Sequence, residues 1–281
     1  MITRFAPSPT GPLHLGHAYS ALVAFDMARA AGGTFLLRIE DIDTQRSKPA
    51  WERQIYDDLA WLGLSWPQPV MRQSDRLPVY RASLARLWSD GLLYACRCTR
   101  RDILDASQAP QEGAPMTGPD GLIYPGTCRG KPRTPQAPLP DGTALRLDLA
   151  AALDRIGGPI GYAETGLPQP PDQDAASLVA AVGDVVLSRR DFPGSYHLSV
   201  VLDDAAQGVT HVTRGADLAD ATWIHVILQR LLGLETPVYH HHRLIRDEAG
   251  KRLAKRDDAR ALARFRDDGA SPADIRAMVG L

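Results

Sequence analysis

The chain predicts an α/β fold: a parallel sheet with helices packed on it, split by an irregular insertion and followed by a short C-terminal piece. Three observations carry that expectation. Short apolar runs alternate with amphipathic helical stretches as far as Gly91. Eight prolines then fall between Pro110 and Pro140, too many for a regular helix or a central strand. Patterned sequence returns with Leu145.

Taken in order, Ile2 to Ala6 is apolar enough for a strand, and Pro7-Ser8-Pro9-Thr10-Gly11-Pro12 cannot continue it. From Leu15 to Ala31, Ala18, Ala21, Leu22, Phe25 and Ala28 recur at three- and four-residue spacing, the mark of an amphipathic helix. Gly32-Gly33 closes it, and Thr34 to Glu40 reads as a second strand. One further helix carries Ile55, Leu59 and Leu62 and stops at Gly63; the next opens at Pro78, carries Tyr80, Leu84, Leu87 and Trp88, and stops at Gly91. After the proline-rich stretch, Leu178–Leu187 and Tyr196–Leu202 read as strand-like runs. Asp217 is placed to cap a helix through Trp223, Ile224, Ile227, Leu228 and Leu231, ending at Gly233. The resulting division is residues 1–93 and 176–233 as two halves of a nucleotide-binding core, 94–175 as the insertion, and 234–281 as the C-terminal segment.

Composition narrows the function. The 281 residues hold 44% hydrophobic and 23% charged side chains, the soluble globular range. No run reaches the roughly 18 apolar residues that span a bilayer, and Met1-Ile2-Thr3-Arg4-Phe5 lacks a secretory layout, so a cytoplasmic protein is expected. With 32 Lys and Arg against 33 Asp and Glu, the whole surface is no polyanion binder. Nucleic acid has to meet a local patch. Tyr239 to Arg266 holds nine basic against four acidic residues, and Arg97, Arg100, Arg101, Arg129, Lys131 and Arg133 mark a second candidate surface. A solvated helix accounts for such a run equally well. Three cysteines is an odd count, with Cys96 and Cys98 too close for a structural disulfide, which favours a metal or thiol role.

The most informative stretch is Pro7 to His17, where a strand ends, a stiff loop follows, and His14 and His17 flank Gly16 at a helix start. Backbone N–H groups and the positive helix end suit a phosphate there, and Gly16 admits a close ligand. Lys251-Arg252-Leu253-Ala254-Lys255-Arg256, after the turn-like Asp247-Glu248-Ala249-Gly250, offers a basic loop able to reach the same phosphates. Neither a GxxxxGK[ST] phosphate loop nor a GxGxxG fingerprint is present, which removes the main support for kinase, GTPase and dehydrogenase readings.

Together these segments resemble the two signatures of class I aminoacyl-tRNA synthetases. Arg4 to Gly11, Arg38-Ile39-Glu40-Asp41-Ile42-Asp43 and Thr210 to Leu218 are similar to the glutamyl branch along essentially the whole chain. Ala254 departs from the serine usual in the second signature, so one hydroxyl donor to phosphate is missing while Lys255 keeps its charge. The resemblance implies a Rossmann-like catalytic core with Mg²⁺-dependent use of ATP. It implies ATP contacts from Pro7, His14, Gly16, His17, Arg252 and Lys255, with His14, His17 and Lys255 catalytic, and glutamate contacts from Arg4, Ala6, Ser8, Glu40, Tyr196 and Arg214. The residue chemistry agrees, since guanidinium forks suit carboxylates and Glu40 suits an ammonium; a structural ion pair of Glu40 with Arg38 or Arg214 is the alternative. Asp41 and Asp43 are either Mg²⁺ ligands or capping and solvated carboxylates.

Cys96, Cys98 and Cys128 supply three thiolates, one short of a structural zinc shell. The spacing resembles the zinc knuckle of the short glutamyl enzymes, which implies Tyr124 as fourth ligand; three reduced buried cysteines are the alternative. His240-His241-His242 alternate in direction if extended, which argues against a shared metal and for nucleotide-edge contact or surface exposure. After Arg256 only 25 residues remain, fewer than the roughly 50 of an independent domain, so no anticodon-binding domain is expected. The resemblance is therefore to the short paralogues of the branch, monomers that activate L-glutamate as an adenylate and esterify it to queuosine in tRNA(Asp). Rival readings are a truncated synthetase charging tRNA(Glu), another nucleotidyltransferase, and a non-catalytic RNA-binding paralogue.

Overall fold

The computed structural model describes residues 1–107, 117–131, 133–246 and 260–281. Strands β1 (Ile2–Phe5) and β2 (Thr34–Ile39) pair in parallel, Ile2 opposite Thr34, with helix α1 (Leu15–Ala30) as the crossover. Helix α2 (Pro49–Trp61) leads to the two-residue strand β3 (Met71–Arg72), which extends the sheet beside β2. A 3₁₀ turn at Gln73–Arg76 and helix α3 (Leu77–Ser89) then bring the chain to Gly91, whose φ of +74° makes the tight exit.

Beyond Gly91 the texture changes as the prolines demand. Strand β4 (Leu93–Cys96) and helix α4 (Arg100–Ser107) precede the hairpin β5 (Thr117–Gly118) and β6 (Gly121–Leu122). Strand β7 (Ala144–Leu147) pairs antiparallel with β4, and helices α5 (Leu149–Ile156) and α6 (Ala175–Val182) lead to β8 (Val186–Ser188), antiparallel to β7. The run read as strand over Leu178–Leu187 is therefore half helix. Asp174 caps α6 by accepting from Ser177 N, and Gly183 at φ +67° ends it.

The second half of the core contains α7 (Tyr196–Ala206), β9 (His211–Gly215), α8 (Thr222–Leu232) and β10 (Val238–His242). The strand expected over Tyr196–Leu202 is the first part of α7. Ser195 accepts from Leu198 N as its N-cap, and burial of His197, Leu198, Ser199, Val200 and Val201 erases the polar stripe that would betray a helix. Asp217 does not cap α8. It sits in a separate 3₁₀ turn, and α8 starts at Thr222 with no side-chain cap. Gly233 does end α8, in the left-handed conformation.

Strands β9 and β10 are parallel, Val238 opposite His211. Thr210 N donates to Ile2 O at 3.0 Å, setting the start of β9 beside β1. The strands thus run in space β10, β9, β1, β2, β3. The chain turns one way from β1 and the other way from β9, and the crevice between their carboxyl ends is where such sheets bind ligands. β10, assigned from sequence to the C-terminal segment, pairs with β9 beside the β1–β2–β3 sheet. Helices α9 (Leu262–Asp267) and α10 (Pro272–Val279) close the fold, burying Leu262, Ile275 and Val279 in one apolar cluster with Leu22 of α1 and Ile55 of α2.

One carboxylate in that packing is poorly housed. Asp58 of α2 is wholly buried, neither oxygen makes a hydrogen bond, and Arg266 Nη1 lies 3.3 Å away. Burial pushes its pKa up to about 6, with Arg266 opposing. The native state therefore holds a proton that the unfolded chain releases near pH 4, and that stabilisation is lost as pH rises through 6. Asp58→Asn is expected to raise stability by about 1–3 kcal/mol at pH 8 and to give no gain at pH 4, read as thermal melting at the two pH values.

Candidate active site

A cavity of about 350 Å³ opens at the crevice between β1 and β9. Its walls include Arg4, Ala6, His14, Gly16, His17, Glu40, Tyr196 and Arg214. These come from β1 and its loop, the start of α1, the end of β2, the start of α7 and β9. Pro7 and Ser8 stand in the same loop outside those walls, Ser8 exposed. Arg252 and Lys255 lie outside the described residues. The chain on either side of them is at the cavity, since Ile245 lines it and Ala261 forms a β-bridge with His14.

The two imidazoles of the first loop are built into the helix start. His14 is the N-cap of α1, its Nδ1 accepting from Gly16 N at 3.1 Å, while His17 Nδ1 accepts from His14 N at 3.1 Å. An imidazole accepting at Nδ1 carries its proton on Nε2. Capping thus leaves both rings as Nε2–H donors, with ring centres 3.7 Å apart at the positive end of a helix. A β-carbon at Gly16 would sit 3.0 Å from the His14 ring, so glycine is what lets the cap close.

Beneath the cavity floor lies a charge cluster. Asp204 of α7 takes Arg4 in a two-pronged pair, Nε to Oδ1 at 3.0 Å and Nη2 to Oδ2 at 3.2 Å, and also takes Arg38 Nη1 at 2.6 Å. Arg38 Nη2 reaches Glu40 Oε1 at 3.2 Å, so Glu40 both lines the cavity and forms the ion pair considered as its alternative role. Burial pushes the Glu40 carboxyl up, against Arg38 and Arg4, whereas at Asp204 the same two arginines overcome burial and hold it below the usual carboxylate range.

Arg214 is held differently. Its Nε donates to His241 Nε2 at 3.1 Å, Nη1 to His225 Nδ1 at 3.0 Å and Nη2 to Thr222 Oγ1 at 2.6 Å. Sequence reasoning missed His225, Thr222 and Asp204 and the wall residues Tyr19 and Ser20; it singled out the histidine triplet without its partners and read Asp217 as a helix cap, and both Asp217 and His242 line the cavity. The signal for the histidines was the triplet itself: His240 is half-buried against Thr165, His241 is buried against Arg214, and His242 borders the cavity and bonds Ser20 Oγ. His241 is thus not exposed.

Two further expectations change. Asp41 is buried rather than solvated and accepts from Ser74 N, Ser74 Oγ and Arg72, whereas Asp43 is the half-exposed carboxylate expected, accepting from Arg46 N and pairing with the Arg46 guanidinium. Of the second basic surface, Arg129 pairs with Asp184 and Arg133 with Asp148, leaving Arg97, Arg100 and Arg101 exposed.

Far from the cavity in sequence, Cys96, Cys98 and Cys128 place their Sγ atoms within 4.8 Å of one another. Tyr124 Oη is 3.5 Å from Cys96 Sγ and 3.3 Å from Cys98 Sγ, and Cys98 and Cys128 are 3.6 Å apart. A tetrahedral shell with zinc–sulfur bonds of about 2.3 Å has edges of about 3.8 Å, so the four donors fit one. Lys131 Nζ and Arg146 Nε, each 3.4 Å from a sulfur, offset thiolate charge.

Asp204→Asn is expected to cost about 3–5 kcal/mol, since it leaves two buried guanidiniums short of their counter-charge; urea unfolding reads it.

The class I tRNA synthetase catalytic-domain family of the E and Q type matches residues 1–118 and 172–281. A "Glutamyl-Q tRNA(Asp) synthetase" of Rhodobacter capsulatus is 65% identical over 100% of both chains. One from Geobacter sulfurreducens is 43% identical, covering 95% of this chain and 79% of its own. Among solved structures, a glutamate tRNA ligase of Elizabethkingia meningosepticum superposes with a TM-score of 0.74 at 26% identity over 99% of this chain, which spans 60% of that protein's length. A methionyl-tRNA synthetase of Mycobacterium tuberculosis shares the fold alone, with a TM-score of 0.59 at 14% identity. Matched on both sides of its insertion and aligned from end to end with a close relative, this chain belongs to the class I tRNA synthetases of the E and Q family, and it is a ligase of that kind.

Proposed function

We propose that the protein activates L-glutamate with ATP and transfers it to the queuosine base in the anticodon of tRNA(Asp). The observation that carries the glutamate reading is the cavity itself, whose lining combines Arg4 and Arg214 with the Glu40 carboxylate and the imidazoles of His14 and His17. Glutamate brings two carboxylates and one ammonium, and the cavity offers cations and a carboxylate to match. Arg4 already shares Asp204, whereas among the described residues Arg214 touches no carboxylate. That leaves Arg214 as the partner for the side-chain carboxylate and Glu40 for the ammonium, with Ala6 and Tyr196 shaping the remainder and Ser8, outside the walls, as a further contact from the same loop. The tRNA(Asp) reading is supported by the name of the relative that is 65% identical.

In the activation step an oxygen of the substrate's α-carboxylate attacks the α-phosphorus of ATP. A new P–O bond forms, the bond to the β-phosphate bridge breaks, and pyrophosphate leaves with that electron pair. No protein nucleophile is required. The chain's task is alignment and charge neutralisation. His14 and His17, capped so that Nε2–H points outward, brace phosphate oxygens, and Pro7 and Gly16 let the nucleotide approach the backbone. Lys255 and Arg252 complete the phosphate contacts in this reading; both ends of their segment are tethered at the cavity. Mg²⁺ would accompany the triphosphate, sharing the neutralisation of its charge.

That cysteine group, with Tyr124, holds zinc. When bound, zinc cross-links the loop around Cys96 to the loop around Cys128, a region with a small apolar core of its own. The same reading divides the chain into core halves 1–93 and 176–233, insertion 94–175 and a C-terminal segment from which β10, paired with β9, is moved to the core.

Two experiments test these readings. Purified protein is expected to exchange pyrophosphate into ATP only when glutamate is added, without RNA, and to esterify queuosine-containing tRNA(Asp) but not the queuosine-free form. Charging of tRNA(Glu) instead would move the acceptor, and absent exchange would remove the enzymatic reading. Separately, elemental analysis is expected to find one zinc per chain, lost in Cys98→Ser together with several degrees of melting temperature; a metal-free wild type that melts at the same temperature overturns the zinc site.

A further inference from the structure

Arginine has five N–H donors and no acceptor, so every atom it meets must supply a lone pair. His225 Nδ1 and His241 Nε2 are therefore both unprotonated where they face Arg214. The rest of the array follows. His225 carries its proton on Nε2 and donates to His197 Nδ1 at 3.1 Å, and His197 then donates from Nε2 to Asp120 Oδ1 at 3.3 Å. His241 carries its proton on Nδ1 and donates to Glu164 Oε2 at 2.5 Å. Glu164 is itself fixed, its Oε1 accepting from the backbone N–H of Gly166, Leu167 and His241. The loop lies so close to β10 that a β-carbon at Gly166 would be 2.4 Å from His241 O.

Two carboxylates thus stand behind Arg214, but each is held away, Glu164 by one imidazole and Asp120 by two. Both come from the stretch between residues 118 and 172 that the family model leaves unmatched. Arg4, by contrast, has Asp204 in direct two-pronged contact. Burial, joined by the nearby Arg214 charge, holds His225 well below the ordinary imidazole value and His241 below it too, in the latter case against the opposing pull of Glu164. Both rings are then uncharged near pH 7.

We infer that His241 and His225 are positioning residues for substrate selection: they orient Arg214 through neutral acceptors, leaving its positive charge to be met by the side-chain carboxylate of an acidic amino acid. A carboxylate in contact would hold the guanidinium as firmly, yet it would satisfy the charge that the substrate has to satisfy. Selection against an uncharged analogue such as glutamine depends on that difference, because a buried cation left without a counter-charge is costly. The inference rests on the glutamate reading of the cavity.

The test compares His225→Gln with His225→Glu, side chains of nearly equal shape that both offer an oxygen to Arg214. Only the second brings a charge into contact. In glutamate-dependent pyrophosphate exchange, the KM for glutamate is expected to be at least about tenfold higher in His225→Glu than in His225→Gln, the scale of one charge-assisted contact. The KM for ATP should be equal in the two, and glutamine should compete better in His225→Glu. Equal glutamate KM values overturn the inference while leaving the glutamate site intact. A wild type with no glutamate-dependent exchange overturns the site reading and this inference with it. If neither variant shows a cooperative melting transition, the imidazole ¹⁵N resonances of the wild-type protein at pH 7 decide: His225 protonated only on Nε2 and His241 only on Nδ1 support it, and a doubly protonated ring at either position overturns it.

Discussion

The site depends on one buried carboxylate. Asp204, on α7, joins Arg4 of β1 and Arg38 of β2, partners 200 and 166 residues away in sequence. Burying any one of these charges alone would be expensive, and the cost is offset only when all three arrive together with their hydrogen bonds made. The two halves of the core are separated by the whole insertion, and this cluster specifies how they meet. Glu40 is carried by the same network through Arg38, so the geometry of the cavity floor is set by ion pairing before any ligand enters.

In and behind the cavity walls, imidazole is used in two distinct ways. His14 and His17 accept backbone N–H groups through Nδ1, which caps α1 and directs Nε2–H away from the helix. His225 and His241 accept from Arg214 and donate on their far sides. A neutral ring with an acceptor on one nitrogen and a donor on the other transmits orientation without adding charge. A carboxylate has no donor when ionised and an ammonium has no acceptor, so neither could take these places. The cysteine cluster follows a different logic: Lys131 and Arg146 approach its sulfurs, and Arg146 also stacks 3.9 Å over the Tyr124 ring, placing positive charge where thiolates would collect.

The local features of the chain were legible because their causes are local. The pattern of apolar and polar residues placed β1, α1, β2 and α3 within a residue or two of their observed ends, and the C-terminal end of α2. The histidine–glycine–histidine loop is a compact pattern whose members lie close in space as well as in sequence, whereas the three cysteines stood out by their number, and Tyr124 was reached through the family resemblance. The failures have a common origin. α7 is buried on nearly every side and keeps no polar stripe, so its apolar run reads like a strand. Asp217 looks like a cap because a cap is what an aspartate before an apolar run most often provides, yet the chain makes a 3₁₀ turn there and turns the residue into the cavity.

What the sequence by itself determined is the strand–helix alternation as far as Gly91 and the loops that carry recognisable chemistry, since these rest on spacing within one or two helical turns. Tertiary structure alone decided which charges share a cavity. Glu164 meets His241 across 77 residues and Arg38 meets Asp204 across 166, and no periodicity links such positions. Their pairing is selected by the penalty for leaving a polar group dry and unpartnered, a cost that exists only once the chain has closed around it.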